Sequence, residues 1–256
     1  KELNFNLWQY CMFRREKSLV LTDLPDKIRQ VNTCEITNRK EYMDAERDLI
    51  MYLQKYKDAD DDKIEKALRG EVMVRINILR QISARGKVRD VIEFVKDFRE
   101  NGKKIILFCS LHEVVDQLKR YFPTAVSVTG RDSQDEKQRA VDAFQNNPKA
   151  DIIICSIKAA GVGLTLTASS NVAFVEFPWT YADCCQCEDR AHRIGQKDSV
   201  TCYYFLGRRT IDEKVYRIIQ EKKNIANAVT GSTEDIEENI VDMDARIFDT
   251  DYDEED

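Results

Sequence analysis

The chain of 256 residues is 43% hydrophobic and 34% charged, which is the ordinary balance of a globular protein. No apolar stretch reaches the roughly 18–20 residues needed to cross a bilayer, and no signal peptide opens the chain, so neither a membrane span nor a membrane partner is predicted. The net charge of −6 is concentrated at one end, because residues 233–256 hold twelve acidic residues and one basic residue. The rest of the chain is therefore mildly basic, which is compatible with a nucleic-acid phosphate backbone as partner.

Eight cysteines are scattered along the chain. Small secreted disulfide proteins are shorter and denser in cysteine, so this usage predicts a reducing compartment inside the cell. Cys109 and Cys155 end apolar runs and are predicted to be small core residues. The chain opens without Met on residues that read as the middle of a protein, so we expect an excised fragment. Residues 233–256 are predicted to form a solvated, partly disordered tail.

Residues 1–85 are polar and rich in charge, and their pattern is mostly helical. From Glu41 to Arg85 apolar residues recur at helical spacing, with an interruption near Asp58–Asp62. This spacing predicts a helical layer that packs on its neighbour.

From Gly86 onward, short apolar runs alternate with amphipathic segments. Strands are predicted at Lys104–Cys109, Ala125–Val128, Asp151–Cys155, Asn171–Glu176 and Val200–Leu206. Helices are predicted at Lys87–Glu100, His112–Tyr121, Gln134–Gln145, Tyr181–Arg193 and Thr210–Ala226. The alternation predicts an α/β fold, with a parallel sheet and helices on both faces. Ligands of such sheets bind beyond the carboxyl ends of the strands, which directs attention to Ser110, Gly130 and Ser156.

The segment from Gln186 to Gln196 reads QCEDRAHRIGQ and carries two arginines three residues apart. On the predicted helix, Arg190 and Arg193 share one face. A guanidinium group is planar, always charged and able to donate two hydrogen bonds to phosphate oxygens. Such a pair at the carboxyl edge of the sheet would suit a transferring phosphoryl group, and the alternative is two surface arginines on a charged helix.

Several segments in the right order resemble one family, the SWI/SNF-type ATPases of helicase superfamily two. Asp189–Gln196 resembles its motif VI, Ser156–Leu166 motif V, Lys104–Leu111 motif IV, Gly130–Phe144 the next segment, and Arg14–Lys17 with Asp23–Lys27 the linker between its two lobes. The resemblance extends from about Phe13 to Gln220. Within the family, the residues at 156–160, 163–165 and 186–190 are most similar to the subgroup of annealing helicases and fork-remodelling translocases.

The resemblance implies a RecA-like fold and a division of the chain into three parts. Residues 1–85 would form the inter-lobe linker and a helical protrusion, residues 86–232 the C-terminal RecA-like lobe, and residues 233–256 the acidic tail. It also implies the roles of individual residues. Arg190 and Arg193 would contact the γ-phosphate region of ATP, Gln186 and Asp189 would position them, Gly161 and Gly163 would let the motif V backbone approach closely, and Ser110, His112, Gly130, Ser156 and Lys158 would lie along DNA.

The resemblance further implies ATP and Mg²⁺ as cofactors, double-stranded or forked DNA as partner, and an N-terminal RecA-like lobe in the same polypeptide. The sequence lacks the Gly-x-x-x-x-Gly-Lys-Ser/Thr run that cradles phosphates and the acidic strand that holds the metal. This chain alone is therefore expected to hydrolyse ATP negligibly. The sequence departs from the family at Ile157, where Thr is common, and at Lys137, where Arg is usual. Lys137 keeps the positive charge but lacks the planar guanidinium that can donate two parallel hydrogen bonds.

Two other functions remain open from the sequence. One is a DNA- or protein-binding adaptor that keeps the lobe fold without catalysis, and the other is an RNA helicase lobe. A zinc site at Cys184, Cys185 and Cys187 is not predicted, because structural zinc wants four ligands, usually in two spaced pairs, and no second pair occurs. No other metal site is predicted.

Overall fold

The computed structural model describes residues 9–10, 20–21, 23–57, 62–160 and 163–230. Its strands are β1 (Lys27–Cys34), β2 (Ile105–Phe108), β3 (Val126–Val128), β4 (Ile152–Cys155), β5 (Asn171–Phe174) and β6 (Val200–Gly207). Its helices are α1 (Arg39–Lys57), α2 (Asp62–Glu100), α3 (His112–Tyr121), α4 (Gln134–Asn146), α5 (Ile157–Ala160), α6 (Tyr181–Glu188) and α7 (Ile211–Thr230). None of these helices is both long and apolar enough to traverse a bilayer.

The six strands form one sheet in the order β1-β6-β5-β2-β4-β3, and every neighbouring pair is parallel. Parallel strands need a crossover between them, and helices supply those crossovers here. The predicted α/β fold with a parallel sheet and helices on both faces is confirmed.

β1 is absent from the predicted elements, and the prediction of mostly helix before residue 85 is wrong for this segment. The strand lies at one edge of the sheet and pairs with β6 from Lys27↔Val200 to Cys34↔Gly207. Its sequence KIRQVNTC mixes charged and apolar residues, and most of its side chains are exposed or half-buried. Edge strands tolerate such sequences, so hydrophobic runs do not identify them.

The central strands divide the core into two layers because successive side chains point to opposite faces. Ile106, Phe108 and Ile153 contribute to the layer beneath α6, α7 and the first half of the described α2. Ile105 and Ile154 contribute to the opposite layer, beneath α3 and the second half of α2. All residues of β2 and β4 are buried, as their unbroken apolar sequences predict.

A buried ion pair fastens α2 to β6 and α7. Lys87 Nζ lies 2.6 Å from Asp212 Oδ2 and also donates to the Phe205 carbonyl at 2.8 Å. The same carboxylate accepts from Ser83 Oγ at 2.7 Å and from the Gly207 backbone N–H at 3.1 Å. Because α2 continues without a break through residue 85, this bond ties the helical region to the sheet.

Candidate functional site

Three loops meet at the carboxyl edge of the sheet, as the sequence predicts. β2, β4 and β3 are neighbours, and Ser110, Ser156 and Gly130 each follow the end of one of them. Ser110 and Gly130 are exposed and Ser156 is half-buried. We call these loops the carboxyl-edge loops.

A cleft of about 340 Å³ opens beside the first two of these loops. Ser110, Lys158 and Trp179 line one part of it, and Asn77 and Arg80 of α2 line another. Ser156 Oγ accepts from the Ala159 backbone N–H at 3.2 Å and so holds the backbone at the start of α5, where Lys158 lies. The cleft therefore lies between α2 and the edge that the sequence assigned to DNA.

Arg80 and Glu176 help to shape this cleft, and neither was singled out from the sequence. The Arg80 guanidinium lies 3.6 Å from the centroid of the Trp179 ring and donates to the Phe177 carbonyl. Burial lowers the pKa of Arg80. Glu176 Oε1 accepts from the backbone N–H groups of Ser110 and Leu111, at 2.9 and 2.6 Å. In the sequence, the only signal for the position of Glu176 was the predicted strand Asn171–Glu176. Its last residue is expected to lie at the carboxyl edge of the sheet.

His112 is the first residue of α3 and is half-buried. Its Nδ1 atom is buried and has no hydrogen-bond partner among the described residues. Gly130 lies within a turn in which Asp132 Oδ2 accepts from the Thr129 backbone N–H at 2.6 Å. These residues thus lie on the same edge as the others predicted to contact DNA, and their contacts with DNA remain predictions.

The two arginines lie together, but not on a helix. α6 ends at Glu188, so the predicted helix Tyr181–Arg193 is five residues too long. Residues 189–193 form turns, and we call them the arginine turn. Burial lowers the pKa of Arg190, and the positive charge of Arg193 lowers it further.

The expected position of the arginine turn at the carboxyl edge is wrong. His192 contacts Pro25, which precedes β1, and Gln196 contacts the carbonyl of Ser169, which precedes β5. The turn thus lies by the amino ends of β1, β5 and β6. The reason is topological: α6 must carry the chain back across the sheet before the parallel β6 can begin. Its eight residues rise about 12 Å, roughly the length of the four-residue β5.

The segments that resemble motif V and motif VI meet through one arginine. Arg193 is exposed, and its Nη1 donates to the Gly163 carbonyl at 3.3 Å. Gly163 has a φ of +63°, in the left-handed region that favours glycine. Gly161 lies outside the described residues. The structure therefore places Gly163 against Arg193, while the roles predicted for Gly161 and Gly163 stay predictions.

The two residues predicted to position the arginines have different surroundings. Gln186 is exposed on α6. Asp189 caps the end of α6, and its Oδ1 lies 3.3 Å from Lys27 Nζ on β1. Its charge also raises the pKa of Arg190, against the larger lowering by burial and by Arg193. Asp189 therefore connects the arginine turn to the edge strand.

Glu188 is the residue of this region that the sequence did not reveal. Its side chain is 0% exposed, and it accepts from Arg29 Nε at 2.7 Å and Nη2 at 2.6 Å. Lys27 Nζ lies 2.8 Å away, and the Tyr204 hydroxyl also donates to it. Burial alone would raise the pKa of Glu188, but the hydrogen bonds and charges of Arg29 and Lys27 hold it below its usual value. We call these four residues the Glu188 cluster.

The neighbouring cysteines are core thiols. Cys184 and Cys187 are buried, and burial raises the pKa of both. Zinc binds thiolate rather than thiol, so these surroundings disfavour metal binding. Within the described residues, no group of three or more His, Cys, Asp or Glu side chains could hold a metal ion.

Residues 86–195 match the family model of the helicase conserved C-terminal domain. The chain is 30% identical over 228 residues to the SWI/SNF-related matrix-associated actin-dependent regulator of chromatin subfamily A-like protein 1 of Xenopus tropicalis, over 86% of this chain and 23% of the relative. It is 30% identical over 232 residues to the DNA annealing helicase and endonuclease ZRANB3 of Bos taurus, over 87% of this chain and 20% of the relative. The chain thus spans about a quarter or less of these relatives.

Two solved structures have the same fold as this chain. The C-terminal part of the Fun30 ATPase domain superposes with a TM-score of 0.68 at 17% identity, over 88% of this chain and 99% of that one. The Sulfolobus solfataricus SWI2/SNF2 ATPase core in complex with dsDNA has a TM-score of 0.64 at 22% identity, over 83% of this chain and 48% of that one. The family match assigns residues 86–195 to the helicase conserved C-terminal domain, and the chain as a whole is similar to SWI/SNF-related proteins and shares the fold of the C-terminal part of the Fun30 ATPase domain.

Proposed function

We propose that this chain is the second motor lobe of an ATP-driven DNA translocase, and that Arg190 and Arg193 are its arginine fingers. The observation that carries the proposal is one turn that holds both arginines, with Arg193 Nη1 donating to the Gly163 carbonyl at 3.3 Å. Arg190 Nε is also buried, and no described residue accepts a hydrogen bond from it. A buried donor without an acceptor calls for an explanation, and phosphate oxygens would supply the acceptors.

Electrostatics favours an anion at this turn. Two positive charges held close together repel each other, and burial of one of them increases the cost. A triphosphate would remove that repulsion and receive up to four directed N–H groups from two planar forks. ATP and Mg²⁺ would be held mainly by the other lobe, and this chain would donate hydrogen bonds to the γ-phosphate region as the two lobes close. Gly163 would keep the motif V backbone close to Arg193, with Gly161, Gln186 and Asp189 completing the nucleotide side.

The carboxyl-edge loops would follow the DNA backbone. They carry exposed hydroxyl, amide and ammonium groups, which suit contacts with phosphate that are independent of base sequence. The names of two similar proteins point the same way, since one is a DNA annealing helicase and the other a core bound to dsDNA. On this proposal, Ser110, His112, Gly130, Ser156 and Lys158 bind double-stranded or forked DNA.

Substitution of Arg193 by alanine in the full-length protein tests the arginine-finger assignment. We expect DNA-stimulated ATP hydrolysis to fall by about 10³-fold or more, because an arginine finger contributes about 10³–10⁵ to the rate. DNA affinity should stay within about twofold, since the turn lies away from the carboxyl edge. Arg89→Ala, which removes an exposed arginine of α2, is the matched control and should keep both properties.

Two outcomes would contradict the proposal. Unchanged turnover in Arg193→Ala would remove the arginine-finger role. Stimulation of the wild-type ATPase by RNA but not by duplex DNA would favour an RNA helicase lobe instead.

A further inference from the structure

The arginine turn is bonded directly to the chain that enters β1. His192 Nε2 lies 2.7 Å from the Pro25 carbonyl oxygen. Because a carbonyl can only accept, Nε2 carries the proton and donates it. Two residues further along, Lys27 Nζ lies 3.3 Å from Asp189 Oδ1. Residues 25–27 therefore contact the arginine turn near its beginning and near its end.

The opposite side of the turn is held by the segment that leads into β5. The Leu166 backbone N–H donates to the Arg190 carbonyl at 2.8 Å. Gln196 Nε2 donates to the carbonyls of Ser169 at 3.0 Å and Ala191 at 3.2 Å. The arginine turn is thus held between residues 25–27 and residues 166–169. Only the second segment overlaps the stretch that resembles motif V.

The Glu188 cluster anchors the contact with β1 at the residue before the turn. Lys27 and Arg29 carry two positive charges, and Glu188 and Asp189 carry two negative charges, so the charges balance. Ion pairs around a fully buried carboxylate such as Glu188 add little net stability compared with an apolar core of the same size, but they are costly to break. The directed bonds of Glu188 join the end of α6 to β1.

We propose that residues 25–29 form a brace that sets the position of the arginine turn, and that Glu188 and His192 are positioning residues for Arg190 and Arg193. The inference rests on the proposed function, because it concerns how that arginine pair is aimed. The start of β1 and the two residues before it then determine where the two guanidinium groups stand. A shift of about 1 Å in such groups can cost about 100-fold in rate, so the brace affects catalysis without touching ATP.

The first test compares Glu188→Gln with Asp212→Asn in the full-length protein. Each variant neutralises a buried carboxylate that is bonded to a lysine, Lys27 for Glu188 and Lys87 for Asp212, and Lys87 lies away from the arginine turn. Both should lower the melting temperature. At a temperature well below both transitions, only Glu188→Gln should lower kcat for DNA-stimulated ATP hydrolysis, by about tenfold or more, with DNA affinity unchanged.

The second test uses substitutions that leave the buried carboxylate intact. His192→Ala removes the donor to the Pro25 carbonyl, whereas His192→Gln offers a side-chain N–H group at a similar distance from the backbone. We expect His192→Ala to lower kcat about tenfold and His192→Gln to recover most of the loss. A purely structural role would give equal kcat for the two variants at matched folded fractions.

Arg193→Ala in the same experiment separates the two proposals. Suppose that Arg193→Ala is inactive, that Glu188→Gln has the same kcat as Asp212→Asn, and that His192→Ala has the same kcat as the wild type. The brace is then wrong, and the arginine-finger assignment is retained. If Arg193→Ala keeps its turnover, the proposed function itself is wrong. If it is inactive and both Glu188→Gln and His192→Ala lose kcat as expected, the brace is supported.

Discussion

The two edges of this parallel sheet present surfaces of different kinds. At the carboxyl edge, exposed Ser110 and Gly130 lie on loops beside an open cleft. The arginine turn, near the amino ends of β1, β5 and β6, is held by hydrogen bonds on two sides and by the fully buried Glu188. Contacts with a sugar–phosphate backbone can be distributed over many small polar groups, whereas two neighbouring positive charges must be held in place. On this comparison, the proposed contacts with DNA need only exposed polar groups on loops, whereas the proposed arginine fingers need a turn that is held rigidly.

The largest effect should come from removing the support of the arginine turn. Glu188→Gln leaves Lys27 and Arg29 without their buried counter-charge, so the free energy of unfolding should fall by about 3 kcal/mol or more. Urea denaturation of the purified chain at neutral pH measures this loss. Glu93→Gln, at an exposed position of α2, should change the unfolding free energy by less than about 0.5 kcal/mol. Equal values for the two variants would show that the Glu188 cluster carries no stability.

The pH dependence of that loss sharpens the assignment. The pKa of Glu188 is lowered in the folded state, so its charge stabilises the fold above its unfolded pKa, and that contribution is lost as the pH falls through the folded pKa. The difference between the wild type and Glu188→Gln should therefore shrink below about pH 4.5. Denaturation curves at a series of acidic pH values would show this convergence, and a difference that stays constant would contradict it.

The next largest effect is expected on ATP turnover when a planar guanidinium group is replaced by an ammonium group of the same charge. Arg193→Lys retains a cation but loses the planar fork, so DNA-stimulated ATP turnover in the full-length protein should fall about 100-fold. Arg89→Lys is the control on an exposed surface. Full activity of Arg193→Lys would mean that a positive charge alone is needed at this position.

A smaller effect is expected where motif V meets the turn. Gly163→Ala places a side chain at a φ of +63°, which should cost about 1–2 kcal/mol of unfolding free energy. No described atom lies within 4 Å of the added carbon, so strain rather than a clash would cause the loss. Gly130→Ala has equal room and no positive φ, and its unfolding free energy should match the wild type.

The smallest effect belongs to the carboxyl edge. Lys158→Ala should weaken DNA binding about threefold and reduce the slope of log affinity against log salt by about 1, as expected for one lost phosphate contact. Titration of labelled duplex DNA at several salt concentrations measures both quantities. Lys103→Ala removes an exposed lysine before β2, on the other edge, and should leave the slope unchanged.

Much of the fold could be predicted because its signals are local. The buried strands β2 and β4 are unbroken apolar runs, and α3 begins and ends where its apolar spacing indicates. The start of α4 follows from Ser133 and Glu136, whose side chains and backbones bond each other reciprocally. β1 was missed because an edge strand with alternating basic residues has no such run.

The errors at the site have one physical origin, which is contact between distant parts of the chain. The end of α6 depends on bonds from Glu188 to β1, about 160 residues away in sequence. The edge on which the arginines lie depends on the direction in which α6 crosses the sheet. Motif spacing predicted that Arg190 and Arg193 are neighbours, and it carried no information about which segments hold them.

The account depends most on the division of work between the two edges, and one experiment with two variants tests it. Arg193→Ala and Lys158→Ala are compared in the full-length protein, with kcat at saturating DNA and the dissociation constant for DNA measured for each. The account predicts that Arg193→Ala abolishes turnover and keeps DNA affinity, while Lys158→Ala weakens affinity and keeps kcat. Parallel losses of both quantities in both variants would contradict it.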